Sequence, residues 1–220
     1  ALYCFAAADG SLLWKAQLAG GADSYASSAI AVGDLYNTGR REVVVCDSLG
    51  YVHCFDHRGQ LLWVFSTSKR TQGAVSLGDV DGDEAVEVLV ASGDHFLYCL
   101  SNDGREEWRY EADLRLLMPA TIGDVDLNGA TDILFCGSDR ILRCVTLDAA
   151  YNPDLIPWPS WRVDSAHTGA VFDGRDTAPP VMLETARLFE HGGFEAPMAA
   201  GSPDDYPAES GLYEMRRERP

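Results

Sequence analysis

The chain repeats itself at a step of 45 residues, and a period of that length decides the architecture before any single motif does. Gly33, Gly78 and Gly123 stand 45 residues apart, as do Cys54, Cys99 and Cys144, and Trp63 and Trp108 keep the same step. Each copy holds short stretches rich in Val, Leu, Ile, Tyr and Phe, bounded by Gly, Asp and Asn, which is strand-and-turn chemistry. The first complete copy predicts strands at Ile30–Asp34, Glu42–Cys46, Tyr51–Asp56 and Gln60–Phe65. The second predicts Gly73–Val80, Val86–Ser92, Phe96–Ser101 and Glu106–Glu111. The third predicts Ala120–Val125, Asp132–Cys136 and Ile141–Leu147, with a divergent fourth strand near Trp158 or Trp161. Ala1–Phe5 and Ser11–Leu18 supply the last two strands of an earlier copy.

A helical repeat is excluded by runs such as Val43-Val44-Val45 and Ile133-Leu134-Phe135, which leave no helical period between their tight turns. Four antiparallel strands in a unit of this length make a β-propeller blade. The expected fold is therefore all-β: a partial propeller over residues 1–170, made of a half blade (1–27) and three blades (28–70, 71–115 and 116–165). Propellers close with at least about four blades, so further blades are expected upstream. The chain opens without Met inside a strand and reads as the C-terminal part of something longer.

The net charge of −17 argues against nucleic acid and anionic membrane surfaces as partners, since both would repel it. No apolar run approaches the roughly 18 residues of a membrane span. Part of the surplus negative charge is a solvated surface, and part sits at fixed loop positions where bound cations would match it. Six cysteines first suggest disulfides. Cys4, Cys54, Cys99 and Cys144, however, occupy one equivalent strand position in successive sheets. Packed sheets lie about 10 Å apart, whereas a disulfide needs Cα atoms within about 7 Å. Cys46 and Cys54 flank their turn asymmetrically, and position 46 recurs as Ala91 and Cys136. All six read as buried free thiols.

The loops after the first strand of each unit carry the most specific chemistry. Gly78-Asp79-Val80-Asp81-Gly82-Asp83-Glu84-Ala85-Val86-Glu87 resembles the FG-GAP/VCBS repeat of secreted bacterial propellers and integrin-type heads. The second half of each unit, as in His53-Cys54-Phe55…Gly59…Trp63 and Tyr98-Cys99-Leu100…Gly104…Trp108, resembles a blade of the PQQ-enzyme propellers. The FG-GAP/VCBS resemblance implies calcium, held by the order Asp-x-Asp-x-Asp-Gly-x-x-Asp. Such a loop offers side chains at positions 1, 3, 5 and 9 and a carbonyl at 7, and Ca²⁺ takes six to eight hard oxygens. The second loop would supply Asp79, Asp81, Asp83 and Glu87 with the Ala85 carbonyl. The third would supply Asp124, Asp126, Asn128 and Asp132 with the Ala130 carbonyl. The first, Asp34-Leu35-Tyr36-Asn37-Thr38-Gly39-Arg40-Arg41-Glu42, has lost two carboxylates and gained two arginines, and is expected to be metal-free. The competing account of all three loops is an Asx turn, in which Asp side chains cap the loop's own backbone.

No nucleophile elbow, zincin, Cys-x-x-Cys or dinucleotide motif is present, so no catalytic or organic-cofactor residue is assigned. His53 and His57 lie on a strand and a turn, not on one helix face, so they make no metal pair. Trp14, Trp63 and Trp108 recur at one position, which points to packing between blades. Beyond the last blade, Pro157–Gly169 resembles a segment that follows the final blade of bacterial propellers. Residues 171–185 read as a linker. Residues 186–220 form a tail, expected to be poorly ordered, whose Ala186–Glu195 resembles the opening of a carbohydrate-binding jelly-roll module, with His191 replacing the usual Asn.

Two functions stay open at this level. One is a non-catalytic, calcium-binding propeller module of a secreted or cell-surface protein, serving adhesion or the binding of a polysaccharide or extracellular protein. The other is a piece of a propeller enzyme, such as a polysaccharide lyase or a quinoprotein-like oxidoreductase, whose active site lies mostly in absent blades. The cysteine register gives a direct test. Unfolded without reductant, the chain should titrate six thiols with a thiol reagent, and any smaller number would reveal a bridge.

Overall fold

The computed structural model describes residues 1–160, apart from residues 22, 23, 72, 74 and 117, together with residues 216–218. Four antiparallel blade units succeed one another along the chain. β1 (Leu2–Phe5) and β2 (Leu12–Ala16) make a two-stranded sheet. Blade one is β3 (Ala31–Gly33), β4 (Glu42–Cys46), β5 (Tyr51–Phe55) and β6 (Leu61–Ser66). Blade two is β7 (Ser76–Gly78), β8 (Glu87–Ala91), β9 (Phe96–Leu100) and β10 (Glu106–Glu111). The third sheet holds β11 (Thr121–Gly123), β12 (Ala130–Cys136) and β13 (Leu142–Ala150), with β14 (Arg216–Glu218) beside β13. The fold class is all-β, and its four-stranded sheets are propeller blades.

Strand alternation sends the two faces of each sheet to different neighbours. Val44, Cys46 and Cys54 pack with Leu77, Val88 and Val90 of blade two, whereas Val45 and Phe55 pack back onto Leu2 and Ala16. Leu89, Ala91 and Cys99 of blade two face Ile122, Ile133 and Phe135 of the third sheet. All five residues of β8 are buried, as a strand covered on both sides must be. The outer strands β6 and β10 alternate between exposed and half-buried residues. On the half blade, Tyr3 and Phe5 stack on each other in solvent on the side away from blade one.

All six cysteines are free, and the pairing Val44 with Cys54 and Cys46 with Val52 shows the asymmetry read from the turn. Burial pushes the Cys46 thiol up to about 11 and raises those of Cys54 and Cys99 still further. Cys4 and Cys136 are only half-buried, which corrects the expectation that all six lie inside. Cys4 lies on β1 and Cys136 is the last residue of β12.

The expected fourth strand of the third blade is also corrected. Trp158 does not run beside β13; it bridges to Leu77 on β7, donating to the Leu77 carbonyl at 3.2 Å and accepting from its amide at 2.8 Å. The segment Leu155–Pro159 lies along the innermost strands, accepting Asp79 N–H at Leu155 and Ile122 N–H at Pro159, both at 2.9 Å. Trp158 is therefore not part of the third sheet. The fourth place is taken by β14, which runs parallel to β13 where an antiparallel strand was expected. Trp161, the rest of 161–169, the 171–185 linker and the jelly-roll resemblance lie outside the described residues.

The inner strands explain the repeated glycines. A Cβ on Gly33 would meet Pro157 at 2.9 Å and Leu77 at 3.0 Å, and one on Gly78 would meet Ile122 at 2.9 Å and Ile156 at 3.0 Å. Each glycine thus makes room for the inner-strand side chain of the following blade, Leu77 or Ile122. Gly123 has no atom within 4 Å of such a Cβ. The same substitution at equivalent repeat positions should consequently diverge. Gly78→Ala should destabilise by about 1–3 kcal/mol through overpacking, while Gly123→Ala should change stability by less than about 0.5 kcal/mol. Denaturant midpoints of the two variants read this directly, and equal losses would mean the glycines serve the strand backbone instead.

Candidate metal centres

The three loops are held by carboxylates at positions 1 and 9 that accept backbone amides, and these bonds persist in the loop without a full set of carboxylates. The carboxylate at position 1 accepts amides across the loop. Asp34 takes Thr38 and Gly39, Asp79 takes Gly82 and Glu84, and Asp124 takes Asn128 and Gly129, at 2.6–3.0 Å. The carboxylate at position 9 reaches back to the amide at position 2, pairing Glu42 with Leu35, Glu87 with Val80 and Asp132 with Val125 at 2.9–3.0 Å. Position 5 accepts the amide at position 7 in the second and third loops, Asp83 from Ala85 and Asn128 from Ala130, both at 2.7 Å. Thr146 Oγ1 adds a donor to the second oxygen of Asp132 at 2.5 Å.

This wrapping requires left-handed backbone at positions 4 and 6. Asn37, Gly82 and Leu127 fill the first, and Gly39, Glu84 and Gly129 the second, all at positive φ. Glu84 holds φ of 68° without being glycine, which costs about 1 kcal/mol. Since the first loop keeps the position-1 and position-9 bonds and the left-handed residues at positions 4 and 6, loop shape by itself is accounted for by Asx-type capping.

What separates the loops is where charge collects. Asp79, Asp81 and Glu87 bring one oxygen each within 4.8 Å of one another, and Asp124, Asp126 and Asp132 do the same. Positions 1, 3 and 9 of the sequence motif are thus assembled in both loops. Asp83 stands outside its triad, turned to the Ala85 amide, and Asn128 makes the matching bond to Ala130. In the first loop Tyr36 and Thr38 occupy positions 3 and 5, leaving only Asp34 and Glu42 as carboxylates.

The electrostatics show the strain of an unmatched triad. Burial, followed by the charges of Asp81, Glu107 and Asp83, pushes Glu87 up to about 8 against the single opposing bond from Val80. Desolvation, then Asp83 and Asp79, raises Asp81. Glu107, on β10, is raised by desolvation and then by Asp81 and Asp83, and sequence reasoning missed it. The signal was available, because position 107 is Leu62 in blade one and the change puts a further carboxylate near the loop. Crowded, partly buried oxygens of this kind fit a hard divalent cation, which would favour their ionised forms.

The fold and loops place the chain in a class, the acidic-loop β-propellers, and the sequence family narrows it. The model of the lambda-carrageenase β-propeller domain matches residues 4–77 and again 71–148, more than half the chain, and the chain belongs to that family. No curated protein matches. Among solved structures, BamB from Moraxella catarrhalis is 18% identical over 62% of this chain and 37% of its own, with a TM-score of 0.43. The V. cholerae biofilm matrix protein Bap1 is 22% identical over 58% of this chain and 26% of its own, with a TM-score of 0.36. A protein of unknown function from Bacteroides caccae is 16% identical over 65% of this chain and 49% of its own, with a TM-score of 0.40. The chain thus spans less than half the length of each of these structures.

Glu87 yields a pH test. Its folded pKa of about 8 lies above the ordinary 4.5, so the fold favours the protonated acid. That stabilisation is complete below pH ~4.5 and is lost as pH rises through about 8. In chelator, the melting temperature should fall from pH 5 to pH 8, and Glu87→Gln should flatten the fall. An unchanged slope in the variant would place the titration elsewhere.

Proposed function

We propose that this chain is a non-catalytic, calcium-stabilised propeller module of a secreted or cell-surface protein that engages a polysaccharide. The observation that carries it is the pair of carboxylate triads at equivalent positions of blades two and three, beside a third loop of identical backbone without one. Asp79, Asp81 and Glu87 would hold one ion, and Asp124, Asp126 and Asp132 the other, with Asp83, Asn128 and the carbonyls of Ala85 and Ala130 within the same loops to complete the oxygen shell. The order of ligands is the one that supports kinship to FG-GAP/VCBS repeats. The ion supplies charge neutralisation and a rigid loop. Such extracellular modules bind at about 10⁻⁴–10⁻³ M, concentrations met outside cells. Family membership supports the polysaccharide, since the family takes its name from a carrageenase.

Calcium binding to the native state alone raises stability by mass action. Millimolar calcium should therefore raise the melting temperature over chelator. Asp81→Asn and Asp126→Asn should each remove part of the increment, and Asp34→Asn none of it. Both exposed positions are chosen because the position-1 aspartates also cap backbone. Identical melting curves in calcium and chelator would leave capping as the whole role of these loops. Incubation with polysaccharide should give retention without shortening of the glycan, and cleavage would reverse the non-catalytic assignment.

A further inference from the structure

The stretch from Ala149 to Pro159 touches both loops that carry a triad. At Ala149, near the end of β13, it passes the second loop: a Cβ on Gly82 would stand 3.5 Å from that of Ala149. Two residues on, the Tyr151 amide donates to the Gly129 carbonyl of the third loop at 2.9 Å. Pro153–Leu155 then forms a single 3-10 turn, capped by Asn152, whose side chain accepts the Asp154 amide at 3.1 Å. The turn delivers the Leu155 carbonyl to the Asp79 amide at 2.9 Å. Trp158 pairs with Leu77 in both directions, and the Pro159 carbonyl accepts the Ile122 amide, two residues before Asp124.

The backbone groups held in this way belong to residues that the triads also use. Asp79 gives its amide to Leu155 and its carboxylate to the second triad. Gly129 gives its carbonyl to Tyr151, while its amide is held by Asp124 of the third triad at 2.9 Å. Side chains carry the connection inward. Ile156 belongs to the core between blades two and three, and Trp158 to the core between blades one and two.

We infer that the Ala149–Pro159 segment couples the two cation sites, so that an ion in one loop fastens the segment and thereby raises the affinity of the other loop. The inference rests on the calcium reading above. In chelator, three carboxylate oxygens within 4.8 Å of one another repel, and a triad that spreads carries its aspartate away from the segment. An ion in the second loop holds Asp79 where its amide meets Leu155. An ion in the third loop holds the turn of Asp124 and Gly129 where it meets Tyr151. Both ions favour the same docked segment, so their affinities are linked, and the linkage is reciprocal. The direct field between the loops has the opposite sign. A third loop stripped of its ion is the more negative, and by charge alone it would draw calcium to the second loop more strongly. Positive coupling therefore requires a structural connection.

The test compares the full chain in millimolar calcium and in chelator, reading hydrogen exchange at the amides of Leu77, Asp79, Ile122, Tyr151 and Trp158. Calcium should slow these amides about fivefold or more, beyond any change at the β4 and β5 amides of blade one. Calorimetric calcium titration supplies the reciprocal measurement. Asp126→Asn removes a ligand of the third loop and should lower the affinity of the second loop about fivefold or more. Ile156→Ala, which alters no triad member, should lower both affinities. Melting curves establish that each variant is folded, and should Ile156→Ala fail to fold, Asp126→Asn decides the matter. Two results would each overturn the coupling while a calcium-raised melting temperature left the calcium reading standing. One is exchange at the five amides that changes no more than in blade one. The other is a second-loop affinity that is unchanged or raised in Asp126→Asn. Calcium that neither binds nor raises the melting temperature would overturn both readings.

Discussion

A sheet that is apolar on both sides cannot stand alone in water, and nearly every feature of this molecule answers that constraint. Val44 and Val45 are consecutive residues of one strand, yet they belong to different cores, one shared with the following blade and one with the preceding half blade. No blade owns a complete core. The tryptophans extend the same dependence to the surface. Trp14 donates its indole N–H to the His57 carbonyl at 3.0 Å, and Trp63 to that of Asn102 at 2.8 Å, each reaching into the next blade. Their rings lie against Gly59 and Gly104, where a Cβ would come within 2.6 and 2.5 Å of the indole.

The acidic loops lie on top of this frame and serve two ends with one set of atoms. Carboxylates at positions 1 and 9 accept backbone amides whatever else they do, so they survive in the first loop, where positions 3 and 5 are Tyr36 and Thr38. This division separates structural from chemical positions in the motif. Positions 1 and 9 hold the loop's shape. Position 3 determines whether charge converges, with Asp81 and Asp126 completing triads and Tyr36 leaving none. A repeat protein can therefore alter the chemistry of one blade without rebuilding its backbone.

The architecture was legible because a constant step of 45 residues fixes equivalent positions without reference to any other sequence. Strand limits, cysteine register and the packing role of the tryptophans followed from that step and from period-two alternation. The triad members were legible as an ordered motif. Their burial was not, because the motif does not show that Glu87 is enclosed while Asp81 is open. Leu62 and Glu107 escaped notice for another reason. They come from the far half of the blade and reach the loop only through the fold. The path of Leu155–Pro159 was illegible in principle. Pro157 and Pro159 lack N–H groups, so the segment can pair along one edge only. An outer blade strand and a strip along the inner strands satisfy that condition equally.

That strip has a consequence for how the chain reaches its final state. Inner strands of only three residues expose unpaired amides and carbonyls at the axis, the kind of open edge on which chains associate. Leu155, Trp158 and Pro159 occupy such groups on Asp79, Leu77 and Ile122 of two blades, while Pro157 fills the space over Gly33 of a third. The segment follows β1 to β13 in the chain, so during synthesis it arrives after those strands have been made. Its contacts reach back 81 residues from Trp158 to Leu77 and 124 from Pro157 to Gly33, and such long-range closure is slow. The blades accordingly assemble by neighbour contacts first, and the axis is sealed by the final stretch, a latch that only a correctly stacked set of blades can receive.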